Sequence, residues 1–191
     1  MPRILITRAD EVLLTLEQEE GVVAVLSIEH PGAIPGGKGA APRLEGRAQM
    51  ILSFLDSEQP VCNGPDIRQV EAGLSFVMEH LSKGDVLIHC HAGKSRSTAL
   101  ALGALALQTP DDVESAVIEK LLGIRPIAAP NIIVVEMVDR LAGREGRLLA
   151  AILAHPQISE QREQAENNRQ SLLKSRPDIL KKNYPEKFFK P

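Results

Sequence analysis

The chain has 191 residues and a net formal charge of −3. That length suits one α/β domain with some extra helix, and so mild a charge does not point to nucleic acid. Two cysteines do not make a disulfide framework and fit a reducing, cytoplasmic compartment. No apolar run reaches the roughly 18 residues of a membrane-spanning helix, and Ile4-Leu5-Ile6, with Arg3, Arg8 and Asp10 close by, is too short for a signal peptide.

In chain order, Ile4-Leu5-Ile6 predicts a first short strand, followed by a helix over 10–18 with Val12, Leu13 and Leu16 apolar and Gly21 as its stop. The near-continuous apolar run Val22 to Ile28 predicts a strand buried on both faces, ending at Glu29-His30-Pro31. Residues 32–46 read as a glycine-rich connection, locally basic through Lys38, Arg43 and Arg47. It is either a plain surface loop or a pocket rim that meets an anionic substrate. Gln49 to Leu55 predicts the next strand, ending at Asp56. Pro65-Asp66 opens a helix with Ile67, Val70, Leu74, Val77 and Leu81 at three- and four-residue spacings, closed by Gly84. Strand, helix and strand in this order make a βαβ-like unit, in which ligands gather at the carboxyl ends of the strands. Asp56 and Cys90 both fall at such ends.

The stretch Val86-Leu-Ile-His-Cys-His-Ala-Gly-Lys-Ser-Arg-Ser97 organises the chain. Val86 to Ile88 is strand-like, and Thr98 to Leu107 is nearly all Ala and Leu, a helix apolar all round that belongs in mid-core. A loop entering a helix start aims several unpaired N–H groups at one point, and the dipole adds positive charge there. Gly93 permits the turn, and Arg96 can clamp two phosphate oxygens. The same field stabilises a thiolate at Cys90, which then serves as a nucleophile. The plain alternative is a buried core cysteine on a βα turn.

His89-Cys90-x5-Arg96-Ser97 resembles the active-site loop of the cysteine-dependent protein tyrosine and dual-specificity phosphatases. Phe54-Leu55-Asp56 followed by Pro60 is similar to the mobile acid loop of that family, in the form of its smaller dual-specificity branch rather than the Trp-Pro-Asp form of the larger one. A bacterial member is expected. The resemblance implies an α/β fold with a central, mostly parallel sheet flanked by helices, the phosphotyrosine-phosphatase-like fold. It implies Cys90 as nucleophile and Asp56 as general acid and then base, with Glu58 and Asp66 as fallback acids. Arg96 and the loop amides of His91, Ala92, Gly93, Lys94, Ser95 and Arg96 would hold the phosphate, and Ser97 would ease departure of the Cys90 sulfur. His89 is expected to orient the loop, and no cofactor or metal is called for. The alternative to a catalytic Asp56 is an ordinary turn residue after a strand.

After the central helix, Asp111-Asp112 predicts the capped start of a helix running to Leu122 and stopped by Gly123. Arg125-Pro126 followed by Pro130-Asn131 again resembles the segment before the last core helix of dual-specificity phosphatases. Asn131 is a good N-cap for 132–141, a structural support with no catalytic role. A short helix is expected over 147–154. Residues 1–155 read as the phosphatase domain and 156–191 as a polar helix and a basic tail, with Lys174, Arg176, Lys181, Lys182, Lys187 and Lys190. That tail is a solvated appendage, or else docks through Leu180, Tyr184, Phe188 and Phe189. Cys62 reads as a plain cysteine, the alternative being a protective disulfide with an oxidised Cys90.

The expected partner is a phosphorylated protein or a small phosphate ester, with no nucleic acid and no membrane span. The oligomeric state is not legible. His91 and Lys94 beside the phosphate also resemble members that act on phosphoinositides or other non-protein phosphates. Two rival classes are a rhodanese-like sulfurtransferase, which leaves Asp56 unexplained, and an inactive phosphate-binding module.

Overall fold

The computed structural model describes residues 2–37 and 39–175. Lys38 and residues 176–191, with the basic and apolar side chains noted in the tail, lie outside the described residues. Four strands, β1 (Ile4–Arg8), β2 (Val22–Glu29), β3 (Ala48–Ser53) and β4 (Asp85–Cys90), form one sheet in the order β1-β4-β2-β3. All three pairings are parallel, so the sheet is wholly rather than mostly parallel. Parallel strands place all four carboxyl ends on one edge. In register, Arg8 lies opposite Cys90, and both Thr7 and Ser27 lie opposite His89.

The helices are α1 (Val12–Gln18), α2 (Ile67–Leu81), α3 (Arg96–Gln108), α4 (Glu114–Ile124), α5 (Ile132–Leu141), α6 (Arg147–Ala154) and α7 (Pro156–Ser175). Strand alternation splits the core in two. Ile4, Ile6, Leu26, Ile28, Leu52, Val86, Ile88 and Cys90 face the large layer of α2 to α6, joined by Ile158 of α7. Val22, Val25 and Leu87 face the thin layer, Val12 and Leu16 of α1.

The Ala/Leu helix α3 is buried from Arg96 through Ala106, as its all-round apolar sequence requires. Gly103 lets it approach α5, where an added Cβ would stand 2.7 Å from Val138 Cβ. Truncating a core side chain such as Leu100, fully buried, costs about 2–5 kcal/mol. The α2 cap is as expected, with Asp66 accepting from Arg68 N at 2.9 Å, and Asn131 caps α5, accepting from Val134 N at 3.1 Å.

Three expectations are corrected. The strand ending at Asp56 stops instead at Ser53, and Phe54 and Leu55 leave the sheet as an irregular segment. The acidic pair before α4 does not cap it. Val113 holds the cap position with no side-chain bond, because Asp112 pairs with Lys120 at 2.7 Å and gives its carbonyl to the buried Arg144 at 2.6 Å. Gly123 does not end that helix, which runs on to Ile124.

Candidate active site

Cys90 ends β4 with 1% of its surface exposed, and Arg96 opens α3 at the same depth. Between them His91 to Ser95 curl around the helix start. Gly93 makes the curl possible: its φ is +62°, and a Cβ there would lie 2.5 Å from the Thr7 carbonyl oxygen. A side chain would be strained at that φ and would collide with β1.

The loop is braced from three sides. Ala9 N donates to the His91 carbonyl at 3.3 Å. Arg125 Nε donates to the Gly93 carbonyl at 3.0 Å. Ala129 N donates to the Lys94 carbonyl at 2.8 Å and Asn131 N to that of Ser95 at 3.4 Å. The Arg125–Asn131 connection is therefore the outer wall of the loop.

Arg96 is held by backbone. One terminal nitrogen donates to the Phe54 carbonyl at 2.7 Å and the Glu29 carbonyl at 3.2 Å, at the ends of two neighbouring strands. Its Nε is buried with no hydrogen-bond partner, and the Asp56 carboxylate stands 3.9 Å away. Buried polar groups in proteins are nearly always hydrogen-bonded, so an N–H left over at this depth marks a place for an anion. Phe54 must leave the β3 ladder to offer its carbonyl here, which accounts for the early end of that strand.

Asp56 sits over the loop and accepts from Ser95 Oγ at 2.7 Å and Asn131 Nδ2 at 2.9 Å. Asn131 also donates to the Ser57 carbonyl at 3.0 Å. Its contact with Asp56 was not read from its capping role. Ser97 Oγ lies 3.2 Å from Cys90 Sγ. Cys90, Arg96, Ser97 and Asp56 are thus brought together, with His91 and Lys94 on the loop. The fallback acids are engaged elsewhere: Glu58 pairs with Arg162 of α7 at 2.9 Å, and Asp66 caps α2.

His89 points to the opposite face of the sheet from Cys90. Its Nε2 lies 2.8 Å from Ser27 Oγ, which in turn accepts from Gln49 Nε2 at 2.9 Å. Gln49 also donates to the Pro42 carbonyl and accepts from Leu44 N. A polar chain thus runs from β4 across β2 and β3 to the glycine-rich loop. Burial lowers the His89 pKa to about 4, with the Arg96 charge acting in the same direction.

The glycine-rich loop lies beside His91 of the phosphate loop. Gly36, Gly37, Gly39 and Pro42 line a cleft of about 400 Å³ with Arg8, Asp10 and His91. The arginines of that loop do not stand in the cleft as open cations. Arg43 is paired with Glu29 at 2.8 Å, and Arg47 donates to the Val22 and Leu16 carbonyls. Burial works against the Glu29 charge, but Arg43 and the Ala41 N–H hold its pKa below the usual carboxylate range.

Sequence reasoning missed His30. It stands at the end of β2, edge-on to His91 with ring centroids 6.3 Å apart. Burial lowers its pKa to about 4, with the charges of Arg96 and His91 acting the same way and that of Asp56 opposing. The available signal was its place at the carboxyl end of a parallel strand. Among the described residues, no group of three or more His, Cys, Asp or Glu is placed to hold a metal ion, and no helix is long and apolar enough to cross a membrane.

No family model matches the chain. A stretch of 115 residues, 60% of the chain, is 30% identical to dual specificity protein phosphatase 12 of Rattus norvegicus, and the chain spans about a third of that relative, 31%. Among solved structures, DUSP15 matches with a TM-score of 0.59 and 20% identity, over 78% of this chain and 88% of that one. PTPMT1 in complex with PI(5)P matches with a TM-score of 0.56 and 17% identity, over 80% of this chain and 95% of that one. The fold is that of solved dual-specificity phosphatases such as DUSP15. The resemblance to dual-specificity phosphatases holds in sequence over the matched stretch and in backbone over three quarters of the chain or more.

Proposed function

We propose that the chain hydrolyses phosphate monoesters through a cysteinyl-phosphate intermediate, as a protein tyrosine or dual-specificity phosphatase. The observation that carries this reading is the buried Nε of Arg96, which makes no hydrogen bond and faces the Asp56 carboxylate at 3.9 Å, at the mouth of the loop that begins with Cys90. An inert core cysteine would need neither the orphan donor nor the carboxylate above it.

In the first step the Cys90 thiolate attacks phosphorus and forms the S–P bond as the ester P–O bond breaks. Asp56 gives its proton to the departing oxygen. Arg96 and the loop amides from His91 to Arg96 hold the three equatorial oxygens, where charge spreads in the transition state. In the second step Asp56, now a base, takes a proton from the attacking water, and the S–P bond breaks to release phosphate. Ser97, 3.2 Å from Cys90 Sγ, stabilises the departing sulfur. His89 is turned to the far face, where it bonds Ser27, and is given no role as base.

A second reading keeps this chemistry and changes the substrate to a phosphoinositide or another non-protein phosphate. It rests on His91 and Lys94 in the loop and on the likeness to PTPMT1, whose structure holds PI(5)P. The cytoplasm is proposed as the working compartment, because Cys62 and Cys90 are both free thiols.

The test is phosphate release from para-nitrophenyl phosphate, phosphotyrosine, phosphoserine and a phosphoinositide by wild type and Cys90→Ser. Release that depends on Cys90 supports the mechanism, and the ranking of substrates chooses between the protein and lipid readings. Activity of Cys90→Ser within about tenfold of wild type overturns it, since losing a nucleophile costs far more. Tungstate binding without turnover on any ester makes the chain a phosphate-binding module.

A further inference from the structure

The acid loop between β3 and α2 has no regular structure, so its position depends on a few side-chain bonds. Ser57 turns it locally, bonding both the Gln59 carbonyl and its N–H. Leu55 N donates to the Asn63 carbonyl at 2.8 Å, with Asn63 in the left-handed region at φ +59°. Ser95 and Asn131 hold Asp56 from below. A further anchor comes from α7. A single terminal nitrogen of Arg162 bridges both oxygens of Glu58, at 2.9 and 3.1 Å. The pair is sheltered, with the Arg162 and Glu58 side chains 20% and 30% exposed.

The helix that carries Arg162 is fixed in place. Ile158 of α7 is fully buried in the main core. Gln157 Nε2 donates to the Pro126 carbonyl at 2.9 Å, next to the Arg125 that braces Gly93. The first two turns of α7 therefore touch both walls of the pocket, the phosphate loop through Pro126 and Arg125, and the acid loop through Glu58.

We propose that Arg162 is a positioning residue for the acid loop: docking of α7 through the Arg162–Glu58 pair holds Asp56 over the phosphate loop, so the helix that follows the sheet-and-helix core sets how often the acid is in place. This rests on the reading of Asp56 as general acid. Glu58 is two residues from Asp56, so a half-sheltered ion pair on it restrains how far the Asp56 carboxylate can move from the phosphate loop. Releasing it affects only a step that needs a proton. A poor leaving group, such as an alkyl phosphate, feels the change. A good one, such as para-nitrophenyl phosphate, feels it less. Oxyanion affinity, set by Arg96 and the loop amides, does not.

The experiment compares wild type with Arg162→Gln, Glu58→Gln and the charge-swapped double variant Arg162→Glu with Glu58→Arg, with Asp56→Asn as reference. It measures kcat on aryl and alkyl phosphates of graded leaving-group pKa, together with tungstate affinity. The single variants are expected to lose on the order of threefold to tenfold in kcat with the poorest leaving group, with tungstate affinity unchanged, and the swap is expected to recover most of the loss. Equal losses across all leaving groups, or a swap no better than the singles, overturn the proposal. If Arg162→Gln does not fold, Glu58→Gln removes the same contact from the loop side and decides the matter. If Asp56→Asn itself shows no leaving-group dependence, the acid assignment has failed. If it shows one and the Glu58 variant does not, only the clamp has failed.

Discussion

Asn131 Nδ2 donates to Asp56 Oδ1 at 2.9 Å, while Asn131 Oδ1 accepts from Val134 N at 3.1 Å. One fully buried amide thus starts a core helix and holds the proposed acid. The two jobs separate by substitution. Asn131→Ser keeps a capping oxygen of nearly equal quality but cannot reach Asp56. It is expected to lose less stability than Asn131→Ala, the loss coming from the bond to the Ser57 carbonyl rather than from the cap, and to lower kcat on poor leaving groups about tenfold to a hundredfold, the cost of a misplaced catalytic group. Asn131→Ala is expected to lose the rate and also about 1 kcal/mol of stability from the missing cap. Thermal melts and leaving-group series on both variants check this. A serine variant with wild-type kinetics would show that Ser95 alone positions Asp56.

Gly93→Ala tests the loop itself. The added methyl meets the Thr7 carbonyl oxygen at 2.5 Å and the backbone must keep φ at +62°. The strain alone costs on the order of 1–3 kcal/mol, and the loop escapes it by moving its amides. The expected result is tungstate affinity weakened by at least tenfold, with a lower melting temperature. Unchanged affinity would mean that the Gly93 amide does not help to hold the oxyanion.

Ser97→Ala tests the second step. With its hydroxyl 3.2 Å from Cys90 Sγ, its removal slows departure of the sulfur but leaves attack on phosphorus intact. Rapid mixing with para-nitrophenyl phosphate is then expected to show a burst of one nitrophenolate per enzyme followed by a slower steady rate. A uniformly slow reaction with no burst would move Ser97 to the first step.

Local pattern carried much of this fold, and long-range pairing carried the rest. The period of the apolar residues in α2, the all-round apolar α3, and the strand–loop–helix run through Cys90 could all be read in sequence, because each is a property of neighbouring residues. The place of Ser97 came from the resemblance of that run to the phosphatase loop, and Asn131 as a cap from its position just before the apolar helix over 132–141. Strand order could not be read. Nor could the partners of Arg96, since carbonyls at Glu29 and Phe54 leave no mark on the sequence. Arg43 and Arg47 looked like open cations for the same reason: a carboxylate or carbonyl many residues away cancels a charge that composition still counts. His30 lacked any local signal beyond its place at a strand end, and Glu58 reads as a spare acid until Arg162 is brought beside it.

The buried His89 makes stability depend on pH in a window that can be isolated. Its pKa falls from 6.5 to about 4 because its ring is removed from water, so the folded chain keeps it neutral where the unfolded chain takes a proton. Stability is then complete above about pH 6.5 and is lost as pH falls toward 4, on the order of 3 kcal/mol for a drop of this size. His30, also lowered to about 4, acts in the same direction. The carboxylates whose pKa values are held low by arginines, Asp85 by Arg3 and Glu29 by Arg43, lose their contribution only at lower pH. Between pH 6.5 and about 5 the slope therefore belongs to histidine. His89→Gln leaves an amide able to bond Ser27 Oγ but carries no titrating group. Its melting temperature is expected to fall from pH 7 to 5 about half as steeply as that of wild type, the slope that remains being the His30 share. Parallel profiles for the two proteins would mean that His89 is protonated in the folded chain, and that its ring is reached by water in spite of its depth.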